Sequence, residues 1–80
     1  MMNIKDLANE LIKEEEIIFS TDKYLYRVYT ADEGIQYDIF SKNEDINNLE
    51  DIEILDGGVY ELEDLTLETA TEAINYIIEE

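Results

Sequence analysis

Histidine, cysteine, proline and tryptophan are all absent from this 80-residue chain, and lysine plus arginine number only five. Without cysteine there is neither a disulfide staple nor a thiolate metal site. Without histidine as well, Ser–His and Cys–His nucleophiles and the usual zinc ligand sets are excluded. Gly34, Gly57 and Gly58 are too few and wrongly spaced for a phosphate-cradling loop. No run of 18 apolar residues is present, and no basic-then-apolar leader opens the sequence. These absences lead to the expectation of a cytosolic, cofactor-free protein with no membrane association. They also leave packing as the source of stability, in a length that buries only about 60% of its unfolded surface.

What is abundant is negative charge. Twenty-two Asp and Glu against five basic residues give a formal net charge of −17. The basic residues (Lys5, Lys13, Lys23, Arg27, Lys42) all precede Asn43, and thirteen acids with no cation follow. Such a stretch has the charge of a disordered tail. Its acids, however, alternate with apolar residues, as in Asp51-Ile52-Glu53-Ile54-Leu55 and Val59-Tyr60-Glu61-Leu62-Glu63-Asp64-Leu65. With 45% hydrophobic residues overall, the pattern fits a folded element with one wet, anionic face.

The periodicity predicts a single acidic domain over 1–80. Ile4, Leu7, Ala8, Leu11 and Ile12 lie on one face of an opening helix, with Asn3 as N-cap and an end near Glu14-Glu15-Glu16. Ile17-Ile18-Phe19, Tyr24 to Thr30 and Ile35 to Ser41 read as three antiparallel strands. Asp32-Glu33-Gly34 forms the turn between the last two. Ile46 and Leu49 allow one helical turn. Ile52 to Leu55 and Val59 to Leu62 flank Asp56-Gly57-Gly58, which reads as a tight turn closing a second small hairpin. Leu67, Ala70, Thr71, Ile74, Ile77 and Ile78 mark a closing helix capped by Thr66 or Thr69, with Thr69-Ala70-Thr71-Glu72 fitting a capping box. The fold class is α+β: a three-stranded meander plus a small hairpin, packed by N- and C-terminal helices in two layers.

No arrangement in the sequence supports catalysis, and no enzyme activity is expected. Carboxylate pairs arise everywhere among so many acids, and the run from Asp51 to Glu63 fails the EF-hand spacing, with Asp56 where the glycine belongs. Asp6, Glu10, Glu14, Glu72, Glu79 and Glu80 sit opposite apolar stripes and read as solvated helix faces. Yet solubility needs a net charge of only about 2–8 for a small domain. The excess repels DNA, RNA and anionic membranes and favours a basic protein partner. Alternate strand residues stand about 6.6 Å apart on one face, so acids on strands and turns can imitate the charge spacing of nucleic acid. Candidate contact residues are Asp32, Glu33, Asp38, Glu44, Asp45, Glu61, Glu63 and Asp64, at turns or strand edges. Tyr24, Tyr26 and Tyr37 read as sheet core. Tyr29 and Tyr60 fall on the opposite faces, as candidate aromatic anchors, and Arg27 among them as a local salt-bridge or stacking partner.

Two segments carry a resemblance. Met2-Asn3-Ile4-Lys5-Asp6-Leu7, and Arg27-Val28 with Gly34-Ile35-Gln36-Tyr37-Asp38-Ile39-Phe40-Ser41 followed by Glu44, resemble small acidic phage anti-CRISPR proteins that inhibit type II-A Cas9. The likeness covers roughly the first 45 residues. It implies an α-β-β-β-led fold and a Cas9-type nuclease as partner, met in the host bacterial cytosol; the protein itself is expected to be a monomer. Acids in the hairpin turn and just after it would meet the arginines that read the short DNA element flanking the target. By position those are Asp32 and Glu33, with Gln36 standing where the family carries an acid. The second half departs from that pattern. The alternatives are an antitoxin or immunity protein neutralising a basic toxin nuclease, or an anti-restriction DNA mimic.

Overall fold

A computed structural model describes residues 3–79, the side chains of Ile46, Leu49 and Glu50 excepted. Met2 and Glu80, and the side chains expected to shape the turn at Ile46 and Leu49, therefore lie outside the described residues. Helix α1 spans Ile4–Glu14. Asn3 caps it as expected, its Oδ1 accepting from the Lys5 N–H at 3.0 Å. The helix ends because Glu15 turns left-handed (φ 68°), its N–H donating to the Leu11 carbonyl at 2.8 Å. Glycine usually fills that position, because a Cβ there costs about 1 kcal/mol.

The chain then enters the sheet at once. Strands β1 (Glu16–Ser20), β2 (Tyr24–Ala31), β3 (Gly34–Ser41) and β4 (Asp56–Glu61) form one antiparallel sheet in the order β1-β2-β3-β4. A 3₁₀ segment, Ile46–Asp51, kinked at Asn48, connects β3 to β4. Helix α2, Leu67–Glu79, closes the fold. The expected two-layer α+β architecture is present, with the terminal helices packed on each other and on one sheet face.

Three local expectations are corrected. Ile52 to Leu55 form no strand, and Asp56-Gly57-Gly58 is not a turn but the first half of β4. These residues pair with β3, Gly58 opposite Tyr37 and Gly57 opposite Asp38. The physical reason is the Tyr37 ring, which lies across Gly58. A Cβ there would stand 2.9 Å from the Tyr37 hydroxyl and 3.2 Å from its Cζ. The glycine makes room for an aromatic neighbour rather than reversing the chain.

The second correction concerns the capping box of α2. Thr66, one of the two caps expected, starts the helix, and its reciprocal partner is Thr69, in place of the expected box from Thr69 to Glu72. The Thr69 N–H donates to Thr66 Oγ1 at 3.2 Å, and the Thr66 N–H donates to Thr69 Oγ1 at 2.8 Å. The third is Tyr24, which is 38% exposed at a sheet end, edge-on to Tyr26, whereas Tyr26 and Tyr37 are buried as expected.

Alternation along the strands sorts the two faces. Ile17, Tyr26, Val28, Ile35, Tyr37 and Ile39 meet Ala8 and Leu11 of α1 and Ala70, Ala73, Ile74 and Ile77 of α2 in the main core. Among the described residues no polar or charged side chain is buried there. On the other face, Leu25 and Phe40 form a small second cluster under Ile52. No helix among the described residues is long and apolar enough to cross a membrane.

Candidate functional site

The register brings distant acids to one end of the sheet. Asp32 and Glu33 are the two residues between paired Ala31 and Gly34. Both keep negative φ, so the positive angle this turn needs falls on Gly34 (φ 148°). Glu61 pairs with Gly34, which sets the end of β4 beside that turn. Glu63 and Asp64 follow at once. Asp32 and Glu63 line one shallow groove floored by Gly34, Leu62 and Leu65. The Asp64 carbonyl accepts from Thr69 Oγ1 at 2.8 Å, tying the loop to the start of α2.

On the opposite edge, Glu16 pairs with Tyr29, and the Glu15 carbonyl accepts from the Thr30 N–H at 2.9 Å. Glu14, Glu15, Glu16, Asp32, Glu33, Glu61, Glu63 and Asp64 thus share one end of the fold, and all eight are exposed. Neighbouring strands lie about 4.8 Å apart, so the array spreads across a rim roughly 14 Å wide. It is spread rather than convergent: among the described residues no three acidic side chains are grouped to hold a metal ion. Lys13, in the last turn of α1, adjoins this end.

The other sequence candidates divide. Gln36 is half-buried on the helix-free face, in a shallow depression with Ala31, Asp32, Glu33 and Val59. It belongs with the acidic end. Glu44 and Asp45 do not. They follow the far end of β3, about 24 Å along an eight-residue strand from the Asp32–Glu33 turn. There Asp45 Oδ1 accepts from the Asn47 N–H at 2.9 Å, and Lys42 Nζ donates to the Asp22 carbonyl at 3.4 Å.

Asp38 stands mid-face and is already neutralised. Its Oδ2 accepts from Arg27 Nη2 at 2.7 Å and from Nε at 3.2 Å. The guanidinium pKa is pushed up from its ordinary value, first by that hydrogen bond, against the opposing effect of burial. Arg27 also lies 5.6 Å from the Tyr29 ring centroid and 5.9 Å from that of Phe40. It is the local ion-pair and stacking partner expected of it.

Tyr60 is corrected. Its pairing with Ile35 puts it on the helix-covered face, half-buried against the core, with its ring 5.3 Å from that of Tyr76. Tyr29 does lie on the opposite face, half-buried. The acids that sequence reasoning left out of the site are Glu14, Glu15 and Glu16. The available signal was three consecutive acids at a helix end, which reads locally only as a stop. Comparison of the chain with protein-family models, with curated proteins and with solved structures finds no match.

Proposed function

We propose that this protein is a non-enzymatic inhibitor of a host-defence nuclease. It presents a nucleic-acid-like array of carboxylates to the groove in which that nuclease holds DNA. The observation that carries this reading is the gathering of eight exposed carboxylates from separate segments at one end of the sheet. Exposed acids also stand at the opposite end, at Asp22, Glu44, Asp45, Asp51, Glu53 and Asp56, but there Lys23 and Lys42 accompany them. Concentrating like charges opposes compaction, so the arrangement works against stability and needs another explanation.

The physical match is to duplex DNA, which carries one charge per roughly 3.4 Å along each strand. Carboxylates on adjacent strand ends and turns, at about 5 Å intervals, cover the same range. A lysine- and arginine-lined groove would be attracted from a distance and blocked on contact. A Cas9-type nuclease is the favoured target. The sequence resemblance assigns Asp32 and Glu33 to the arginines that read DNA beside the target site, and this turn is the centre of the acidic end.

The test is competition for labelled duplex DNA against a panel of guide-loaded Cas9-type nucleases, at two salt concentrations. Inhibition that weakens with salt, and disappears in Asp32→Lys/Glu33→Lys, is expected. Unchanged DNA binding by every panel member refutes the reading.

A further inference from the structure

Among the described residues, the sheet face opposite the helices is covered where Ile52 packs on Leu25 and Phe40. Over the rest, the register sets Glu16, Tyr29, Gln36 and Val59 in one row, and Ile18, Arg27 and Asp38 in the next. Ile18 and Val59 are 41% and 38% exposed, an unusual use of β-branched residues on a wet sheet face. The cation of this face, Arg27, is cancelled by Asp38 at 2.7 Å. What surrounds the apolar residues is therefore anionic: Glu16 on one side, Asp32 and Glu33 at the turn, and Glu61 at the end of β4.

We infer that this uncovered half of the sheet docks onto a basic protein surface. Ile18, Tyr29 and Val59 make the dry contact, and the carboxylate rim meets the partner's lysines and arginines. Hydrophobic contacts interleaved with polar and charged groups are ordinary in a protein interface, and Tyr is enriched among its energetic anchors; here Ile18 and Val59 stand on the two edge strands and Tyr29 on β2, with Arg27, Asp38 and Gln36 between them. Charge complementarity selects the partner. A second copy of this chain would bring two acidic rims together, each part of a molecule with net charge −17. A nucleic acid would be repelled by the same rim.

The inference rests on the proposed function for the partner's basic character, and adds that charge is not the whole contact. Rim charges govern the rate of association and its salt dependence, whereas desolvated apolar contacts govern dissociation. The two parts of the surface are therefore separable by kinetics.

The experiment immobilises the full-length protein and measures association and dissociation with guide-loaded Cas9-type nucleases and type II restriction enzymes, alongside DNA competition. Ile18→Ser/Val59→Ser and, separately, Tyr29→Ala are expected to accelerate dissociation at least about 10-fold with little change in association. Asp32→Lys/Glu33→Lys is expected to slow association instead. Parent-like dissociation in both apolar variants, with DNA competition intact, overturns the docking face and leaves the inhibitor reading standing. Faster dissociation in those variants, with no DNA competition by the parent, refutes the inhibitor reading and supports the face. Binding to no probe refutes both. A dimer seen by sedimentation and abolished by Ile18→Ser/Val59→Ser assigns the face to self-association and overturns the inference. Should either variant melt early, hydrogen exchange of the unaltered complex decides. Protection across residues 16–18 and 57–59 supports the face, and its absence overturns it.

Discussion

Gly34 links the fold to the site, and replacing it with alanine tests both. Its φ of 148° lies in a region that L side chains rarely adopt. A Cβ there would run into the Tyr60 carbonyl oxygen, and would stand 3.0 Å from both Glu61 Cα and Leu62 N. These are backbone atoms, so no side chain can swing aside, and either β4 moves or the turn does. The backbone strain alone costs about 1–3 kcal/mol. Adding weakened pairing at the end of β4, each lost hydrogen bond costing about 1 kcal/mol, puts Gly34→Ala at about 3 kcal/mol. For a domain of this size that lowers the melting midpoint by roughly 12–24 °C. Hydrogen exchange should show lost protection at Tyr60 and Glu61, with the β1–β2 pairing retained. Glu61, Glu63 and Asp64 would then separate from Asp32 and Glu33, so DNA competition should weaken although no charge has changed. A variant that melts within about 4 °C of the parent, or one that loses protection evenly across the sheet, refutes the reasoning.

Asp32→Lys/Glu33→Lys should raise the melting midpoint, more at low salt than at high, while abolishing DNA competition, because it relieves repulsion at the acidic end. A fall in the midpoint at low salt would count against that electrostatic account. Glu44→Lys with Asp45→Asn should leave competition nearly unchanged at about 0.1 M salt, since those residues lie at the opposite end of β3. Arg27→Met should cost about 1–2 kcal/mol by leaving Asp38 without its partner, and Arg27→Met/Asp38→Leu should recover most of that in thermal melts. The Arg27 pKa is raised on folding, so the stability it contributes is complete below the unfolded pKa and is lost only as pH rises through the higher folded value. A pH series to about 9, below the range where tyrosines ordinarily ionise, should therefore leave the difference between parent and Arg27→Met unaltered. Glu15→Gly should stabilise the fold by about 1 kcal/mol, because glycine adopts the left-handed cap without strain; a loss of stability in chemical denaturation would refute that.

Helix α1 was legible because Ile4, Leu7, Ala8 and Leu11 follow a period that only a helix satisfies, and its cap at Asn3 is a local interaction. Strands β2 and β3 were legible through alternation and the turn at Asp32-Glu33-Gly34. Strand β4 was not. Gly57 and Gly58 carry the local chemistry of a turn, while the ring that explains Gly58 comes from Tyr37 across the sheet. The same limit divides the site. Asp32 and Glu33 are readable as an exposed turn from their neighbours. That Glu16 and Glu61 flank them depends on register, which no local window contains. Glu44 looked close because only a few residues separate it from β3, but the strand had already carried the chain to the other end. Tyr60 was assigned to the wrong face together with β4, since reading Gly57-Gly58 as a turn removed the pairing that orients it.

The cations sharpen what the acidic end can do. Lys23 and Lys42 adjoin the far end of the sheet, beyond Tyr24 and Ser41, while Arg27 is cancelled within the open face. Asp22, Glu44, Asp45, Asp51, Glu53 and Asp56 share that far end with the two lysines, so the two ends differ in their cations and lie about 24 Å apart. At 0.1 M salt the screening length is about 10 Å, well short of that span. A partner approaching the Asp32–Glu33 end then responds to the local carboxylates, and neither the distant lysines nor the full −17 governs the encounter. At about 0.01 M the screening length grows to about 30 Å, and both ends are felt together. The attraction at physiological salt should thus scale with the eight clustered acids, and the effect of Glu44→Lys with Asp45→Asn should emerge only as salt is lowered. A protein whose acidity served solvation alone would show no such dependence on which end carries the change, because solvation is indifferent to where the charges sit.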